Sequence, residues 1–182
     1  MKATGIVRRI DDLGRIVIPK EIRRTMRIRE GDPMEIFTSR EGEILLKKYS
    51  PVGELSEFAG ALAESMAQTL GALVCVTDRD YVIAAAGNGK KEFEGKTLDE
   101  RLQGAIEQRI YRVAEKGQKE YIEMTKEGES EYQQQAVATI LSHGDCIGAV
   151  IILCKEKGGN SEEALLQVAK TAAGFIGKHM EQ

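Results

Sequence analysis

Apolar and polar residues along this chain fall into short, differently spaced runs. Residues 5–10 and 15–18 are β-branched and read as two strands around the tight turn Asp11-Asp12-Leu13-Gly14, where Gly14 supplies a positive φ. Pro19 then opens a helix over 20–27, with Ile22 and Met26 four apart on one side and Arg23 and Arg24 turned away from it. Gly31-Asp32-Pro33 breaks the chain, and residues 34–38 and 43–48 predict a second hairpin. Tyr49-Ser50-Pro51-Val52-Gly53 reads as a short linker, placing one domain over 1–50, the linker over 51–54 and a second domain over 55–182.

Beyond the linker the spacing lengthens. Leu55, Phe58, Ala59, Leu62, Met66 and Leu70 mark a helix of about four turns. Residues 72–77 and 81–86 predict a hairpin. Thr97-Leu98-Asp99-Glu100 has the form of a capping box ahead of a helix carrying Leu102, Ala105, Ile106, Ile110 and Val113. Strands are expected near 120–124, 135–141 and 146–154, and a last helix over 161–180 presents Leu165, Val168, Ala169, Ala172, Phe175 and Ile176. The order helix, two strands, helix, three strands, helix predicts an antiparallel sheet with helices on its faces, so the chain as a whole is α+β.

Composition changes this picture little until the chain is divided. Over 182 residues, 26 Lys and Arg face 29 Asp and Glu for a net charge of -3, and 42% hydrophobic with 30% charged residues is ordinary for a globular protein. Cut at Ser50, residues 1–50 carry 12 basic and 8 acidic side chains (+4), and residues 51–182 carry 14 and 21 (-7). Within the first 30 residues nine are basic, seven of them Arg. An anionic partner for the first domain follows. Fifty residues without Cys or His offer no zinc site and too little apolar surface for an independent core, so dimerisation is expected. The longest apolar run, 146–154, is too short to cross a membrane, no secretory signal opens the chain, and three cysteines do not make a disulfide framework. A cytoplasmic protein without a membrane partner is expected.

Candidate chemistry in the acidic part is sparse. His143 and Cys146 supply two metal ligands where a site needs three or four, so no metal site is expected. Cys75 and Cys154 sit in apolar strands as small hydrophobes. Gly87-Asn88-Gly89-Lys90-Lys91 lacks the upstream Gly and the following Ser or Thr of a phosphate loop and reads as a solvated turn, and residues 125–132 as an acidic loop. No catalytic set and no cofactor is implied.

The run Gly5-Ile6-Val7-Arg8-Arg9-Ile10-Asp11-Asp12-Leu13-Gly14-Arg15-Ile16-Val17-Ile18-Pro19, followed by Glu21-Ile22-Arg23-Arg24, resembles the AbrB family of bacterial transition-state regulators. Residues 55–182 resemble a GAF-like sensor module in element order. The resemblance implies a swapped-hairpin β-barrel dimer that binds double-stranded DNA through Arg8, Arg9, Arg15, Arg23 and Arg24, activating and repressing spore-development genes. It further implies a homotetramer joined through the second domain, which would assemble the protein or sense an unidentified small molecule between its sheet and segment 87–97 or 125–132. The physical counterpart is that Arg binds phosphate or a guanine edge with a planar fork. Two other classes fit less well. The same barrel occurs in antitoxins, but their tails are short, and an enzyme would need an acid, base or nucleophile set that the sequence lacks.

Overall fold

The computed structural model describes residues 6–126 and 131–181 and divides the chain into two compact units, Met1–Tyr49 and Ser50–Gln182. In the first, an irregular stretch leads into helix α1 (Lys20–Thr25), followed by a hairpin of strands β1 (Met34–Thr38) and β2 (Ile44–Lys48). Antiparallel register sets Ile36 against Leu46 and Phe37 against Leu45. The Ser39 hydroxyl accepts from the amides of Glu41 and Glu43, shaping the loop between them. Helix α1 stops two residues short of the expected end. Arg27 takes a left-handed φ of 54°, and the Ile28 amide returns to the Arg23 carbonyl at 2.8 Å, the closing geometry usually given to Gly. The Asp32 carboxylate accepts from the Arg29 amide at 2.8 Å and pairs with Lys48 Nζ at 3.0 Å, and Lys48 also donates to the Arg27 carbonyl, tying the helix end to β2.

The expected strands over 5–10 and 15–18 are not paired; Gly5 lies outside the described residues. The Asp11 amide donates to the Arg15 carbonyl, and no ladder continues from it. Val7 is 90% exposed, Ile36 68% and Ile44 67%. Among the described residues, Pro19 is the sole buried one before Ser50. A strand exists only when its backbone groups find a partner, and among the described residues, 6–10 and 15–18 find no ladder.

The second unit closes on itself. Residues 51–54, expected as a linker, form a helical turn, α2 (Pro51–Glu54), because Ser50 Oγ accepts from the Gly53 amide and Pro sits at the first position. Ser50 also donates to Asp78 at 2.8 Å. Helix α3 (Ser56–Leu70) follows, then β3 (Leu73–Thr77), β4 (Val82–Ala86), α4 (Lys90–Phe93), α5 (Glu100–Glu107), β5 (Tyr111–Glu115), β6 (Gln134–Ser142), β7 (Asp145–Cys154) and α6 (Glu162–His179). The five strands form one antiparallel sheet in the order β4-β3-β7-β6-β5. Alternation then sorts the core: Val74, Val76, Ala138 and Ile152 face α3 and α6, while Cys75, Val137, Ile151 and Leu153 face α5. Buried on both sides, β7 reads as a continuous apolar run.

Several local expectations shift by a few residues. Asp99, not Thr97, caps α5 by accepting from the Arg101 amide at 2.9 Å. That helix ends at Glu107, and residues expected to continue it pair with β6 as β5. The strand expected near 120–124 is irregular: the Ile122 carbonyl accepts from Gln135 Nε2 at 2.8 Å, so a side-chain amide serves it where a ladder was anticipated. Residues 87–91 turn into α4 through Gly89, and the acidic loop expected over 125–132 has its residues 127–130 outside the described ones. The small face of α6 packs on its own sheet. An added Cβ at Gly177 would stand 2.0 Å from the Leu141 carbonyl oxygen, whereas Gly174 faces open space.

Candidate nucleic-acid interface

Each candidate arginine is positioned by a local device. The turn after Ile10 is organised by Asp11, whose Oδ1 accepts from the Leu13 amide at 3.0 Å and the Arg15 amide at 2.7 Å; Gly14 completes the reversal at φ 76°. Arg15 Nε donates to Asp11 Oδ2 at 2.7 Å. The Arg15 amide and then its guanidinium hold the Asp11 carboxyl below the usual range, opposed by a small loss of hydration. Arg15 thus belongs to the turn as well as to the basic surface.

Arg8 and Arg9 lie on the extended stretch before the turn, exposed. Arg23 and Arg24 occupy the last turn of α1, also exposed, where the helix dipole favours cations. Helix α1 begins because Pro19 presets φ at -57° and its carbonyl accepts from the Arg23 amide at 2.9 Å. The bland alternative for these arginines, ion pairing with Asp11, Asp12 or Glu21, holds for Arg15 with Asp11 and for no other. Among the described residues Arg8, Arg9, Arg23 and Arg24 make no ion pair. Four unneutralised guanidinium groups on fewer than twenty residues form a surface suited to an anion.

Two basic residues outside the expected set belong to this neighbourhood. Arg27 and Arg29 are half-buried beside the helix end, and each has an Nη1 atom closed off from solvent. Nothing in the local sequence distinguishes them from the exposed pair, because their burial follows from the left-handed closure at Arg27 and the Asp32–Lys48 contact.

In the second unit the two residues weighed as metal ligands serve local structure. Cys146 Sγ donates to the Ile106 carbonyl at 3.3 Å, and His143 forms with Gly144 the tight β6–β7 turn, both at positive φ. Burial raises the thiols of Cys146 and Cys154 above their ordinary value. Among the described residues no three metal-ligating side chains converge. No helix among them is long and apolar enough to cross a membrane.

Comparison with known proteins adds the following. Residues 54–181 match the family model "Stage V sporulation protein T C-terminal, transcription factor", and residues 7–54 match "Antidote-toxin recognition MazE, bacterial antitoxin". Over the full length of both proteins the chain is 47% identical to stage V sporulation protein T of Bacillus subtilis (strain 168). The transition state regulatory protein AbrB of the same organism is 52% identical over 63 residues, covering 31% of this chain and 65% of AbrB. The PixJ GAF domain of Thermosynechococcus elongatus superposes with a TM-score of 0.53 over 74% of this chain and 89% of its own, at 13% identity, a likeness of fold alone. With an AbrB-like first unit, a GAF-type sheet and a full-length relative, the chain belongs to the stage V sporulation protein T family of transcription factors.

Proposed function

We propose that this protein regulates transcription of spore-development genes, as activator and repressor, by binding double-stranded DNA through Arg8, Arg9, Arg15, Arg23 and Arg24 of a dimeric first domain. The observation that carries this reading is the set of unpaired arginines on a unit that leaves its apolar residues uncovered. A second copy of the chain is the natural cover: burying even five of those side chains contributes about 7–15 kcal/mol. Interleaving 6–10 and 15–18 with a partner would complete their ladders and double the basic surface on a two-fold axis, as a pseudo-palindromic duplex requires. Helix α1, the one helix of the first unit among the described residues, is six residues long and too short to read a groove, so phosphate contact and DNA shape carry much of the recognition. The domains run over 1–50 and 55–182, joined through 51–54, the second one assembling two dimers into a tetramer or sensing a small molecule. We assign the protein no catalytic role and place its work in the cytoplasm.

Genome-wide binding by wild type and by an Arg23→Ala, Arg24→Ala variant tests this. Loss of occupancy at most sites is expected; equal occupancy would refute the arginine assignment. Light scattering of the intact chain should give a tetramer, and a monodisperse dimer would sink that part. The antitoxin reading suggested by the match of residues 7–54 to an antitoxin model is disfavoured by a second unit of 133 residues with its own two-sided core.

A further inference from the structure

Asp11 puts a negative charge where a DNA-binding surface has least use for one, between Arg8 and Arg9 before the turn and Arg15 after it. Turn formation alone does not call for a carboxylate. Oδ1 takes the amides of Leu13 and Arg15 at 3.0 and 2.7 Å, and the side-chain amide of an Asn would offer them the same oxygen. What only a carboxylate supplies is the second acceptor, Oδ2, which takes Arg15 Nε at 2.7 Å. The Asp11 amide also donates to the Arg15 carbonyl at 3.0 Å, so one residue grips Arg15 at its backbone and at its guanidinium. The Arg15 side chain is nevertheless 71% exposed, and among the described residues its Nη1 and Nη2 make no hydrogen bond.

This pairing changes what Arg15 is suited to bind. A phosphate brought to its guanidinium would also face the Asp11 carboxylate, whereas Arg8, Arg9, Arg23 and Arg24 make no ion pair among the described residues and offer their full charge. With Nε engaged, the Nη1–Nη2 edge still presents two parallel donors. That edge matches O6 and N7 of guanine, acceptors that carry only partial charge.

We propose that Asp11 positions Arg15 to read a guanine edge in the major groove, while the four arginines without a counter-ion hold phosphates. This rests on the DNA-binding reading above and names what that surface discriminates, a G·C pair in each half-site. Phosphate contacts fix register and carry no sequence information directly, so Arg15 supplies the base-specific part that the six-residue α1 does not.

Fluorescence anisotropy of the full-length protein, with a duplex recovered from the genome-wide experiment and a scrambled duplex of equal composition, tests the assignment. Replacing guanine in the recovered duplex by 7-deazaguanine, which lacks the N7 acceptor, should weaken wild type by about fivefold or more and leave the double variant Asp11→Asn, Arg15→Gln unaffected. That variant keeps the net charge and the turn oxygen. Its salt slope and its affinity for the scrambled duplex should match wild type, while its preference for the recovered duplex falls by about tenfold or more. Asp11→Asn alone frees Arg15 for phosphate. The scrambled duplex should then bind more tightly, and the slope of log K against log salt should steepen by about 1.8 per dimer as discrimination falls. Wild type indifferent to 7-deazaguanine, or a double variant that flattens the salt slope by about 1.8 with discrimination unchanged, would overturn the proposal and return Arg15 to the phosphates. The 7-deazaguanine comparison on wild type reports even if a variant folds poorly. Failure of wild type to bind any duplex at low salt would instead overturn the DNA-binding reading itself.

Discussion

Two glycines three residues apart on α6 give a test with its own control. At Gly177 an added Cβ meets the Leu141 carbonyl oxygen at 2.0 Å and its carbon at 3.1 Å, both backbone atoms that cannot rotate aside. Restoring a carbon–oxygen contact of about 3.3 Å requires α6 to move off β6 by about 1.3 Å, in a core where Ala169, Ala173 and Ile176 are already buried. Overpacking of this kind costs about 1–3 kcal/mol or more, and the gain in helix propensity from Gly to Ala returns at most about 1 kcal/mol. With a clash against backbone placing the cost at the top of that range, the net for Gly177→Ala is a loss of about 2 kcal/mol, or about 4–8 °C in Tm for a chain of this size. Gly174 lies in the same helix, but its Cβ would meet nothing within 4 Å. Gly174→Ala should therefore gain up to about 1 kcal/mol, raising Tm by about 2–4 °C. Thermal denaturation followed by circular dichroism at fixed protein concentration reads both. Equal shifts, or a Gly177→Ala protein as stable as wild type, would show that α6 does not pack on Leu141 as described.

In the proposed dimer, Arg8, Arg9, Arg23 and Arg24 number eight, so log K against log salt should have a slope near -7, falling to about -3.6 in Arg23→Ala, Arg24→Ala; fluorescence anisotropy with a duplex would measure it, and an unchanged slope would remove these residues from the phosphate contacts. Gly148→Ala would place Cβ 1.9 Å from the Thr77 carbonyl oxygen, where β7 meets the end of β3, and should lower the denaturant midpoint by more than any exposed Gly→Ala change. Burial raises the folded pKa of Cys146 and Cys154, so the stability tied to their neutral thiols is fully present below the ordinary value of 9.0 and is lost as pH climbs through the raised values. A Cys146→Ala, Cys154→Ala variant, compared with wild type across alkaline pH, should show a shallower decline; parallel curves would contradict the burial of these thiols.

Short-range devices were legible in the residues themselves. The Asp11–Gly14 turn, the hairpin joined at 39–42, the His143-Gly144 reversal and the last helix behind Ser161 all depend on contacts within about four residues, and the structure has each of them. The charge division at Ser50 and the five arginines were likewise open to reading, since both are properties of composition and order. What required the folded chain was every choice between distant partners. Residues 111–115 carry a helical spacing, yet pairing with β6 outweighs it, while 120–124 look like a strand and find a Gln135 side chain in place of a ladder. Residues 6–10 and 15–18 have strand character with no ladder partner among the described residues, and propensity alone cannot supply one. The neutralisation of Arg15 but not of Arg8, Arg9, Arg23 and Arg24, and the burial of Arg27 and Arg29, share that origin. Each is set by which backbone comes within a few ångströms of another, and that is decided by burial summed over the whole sheet and not by any window of sequence.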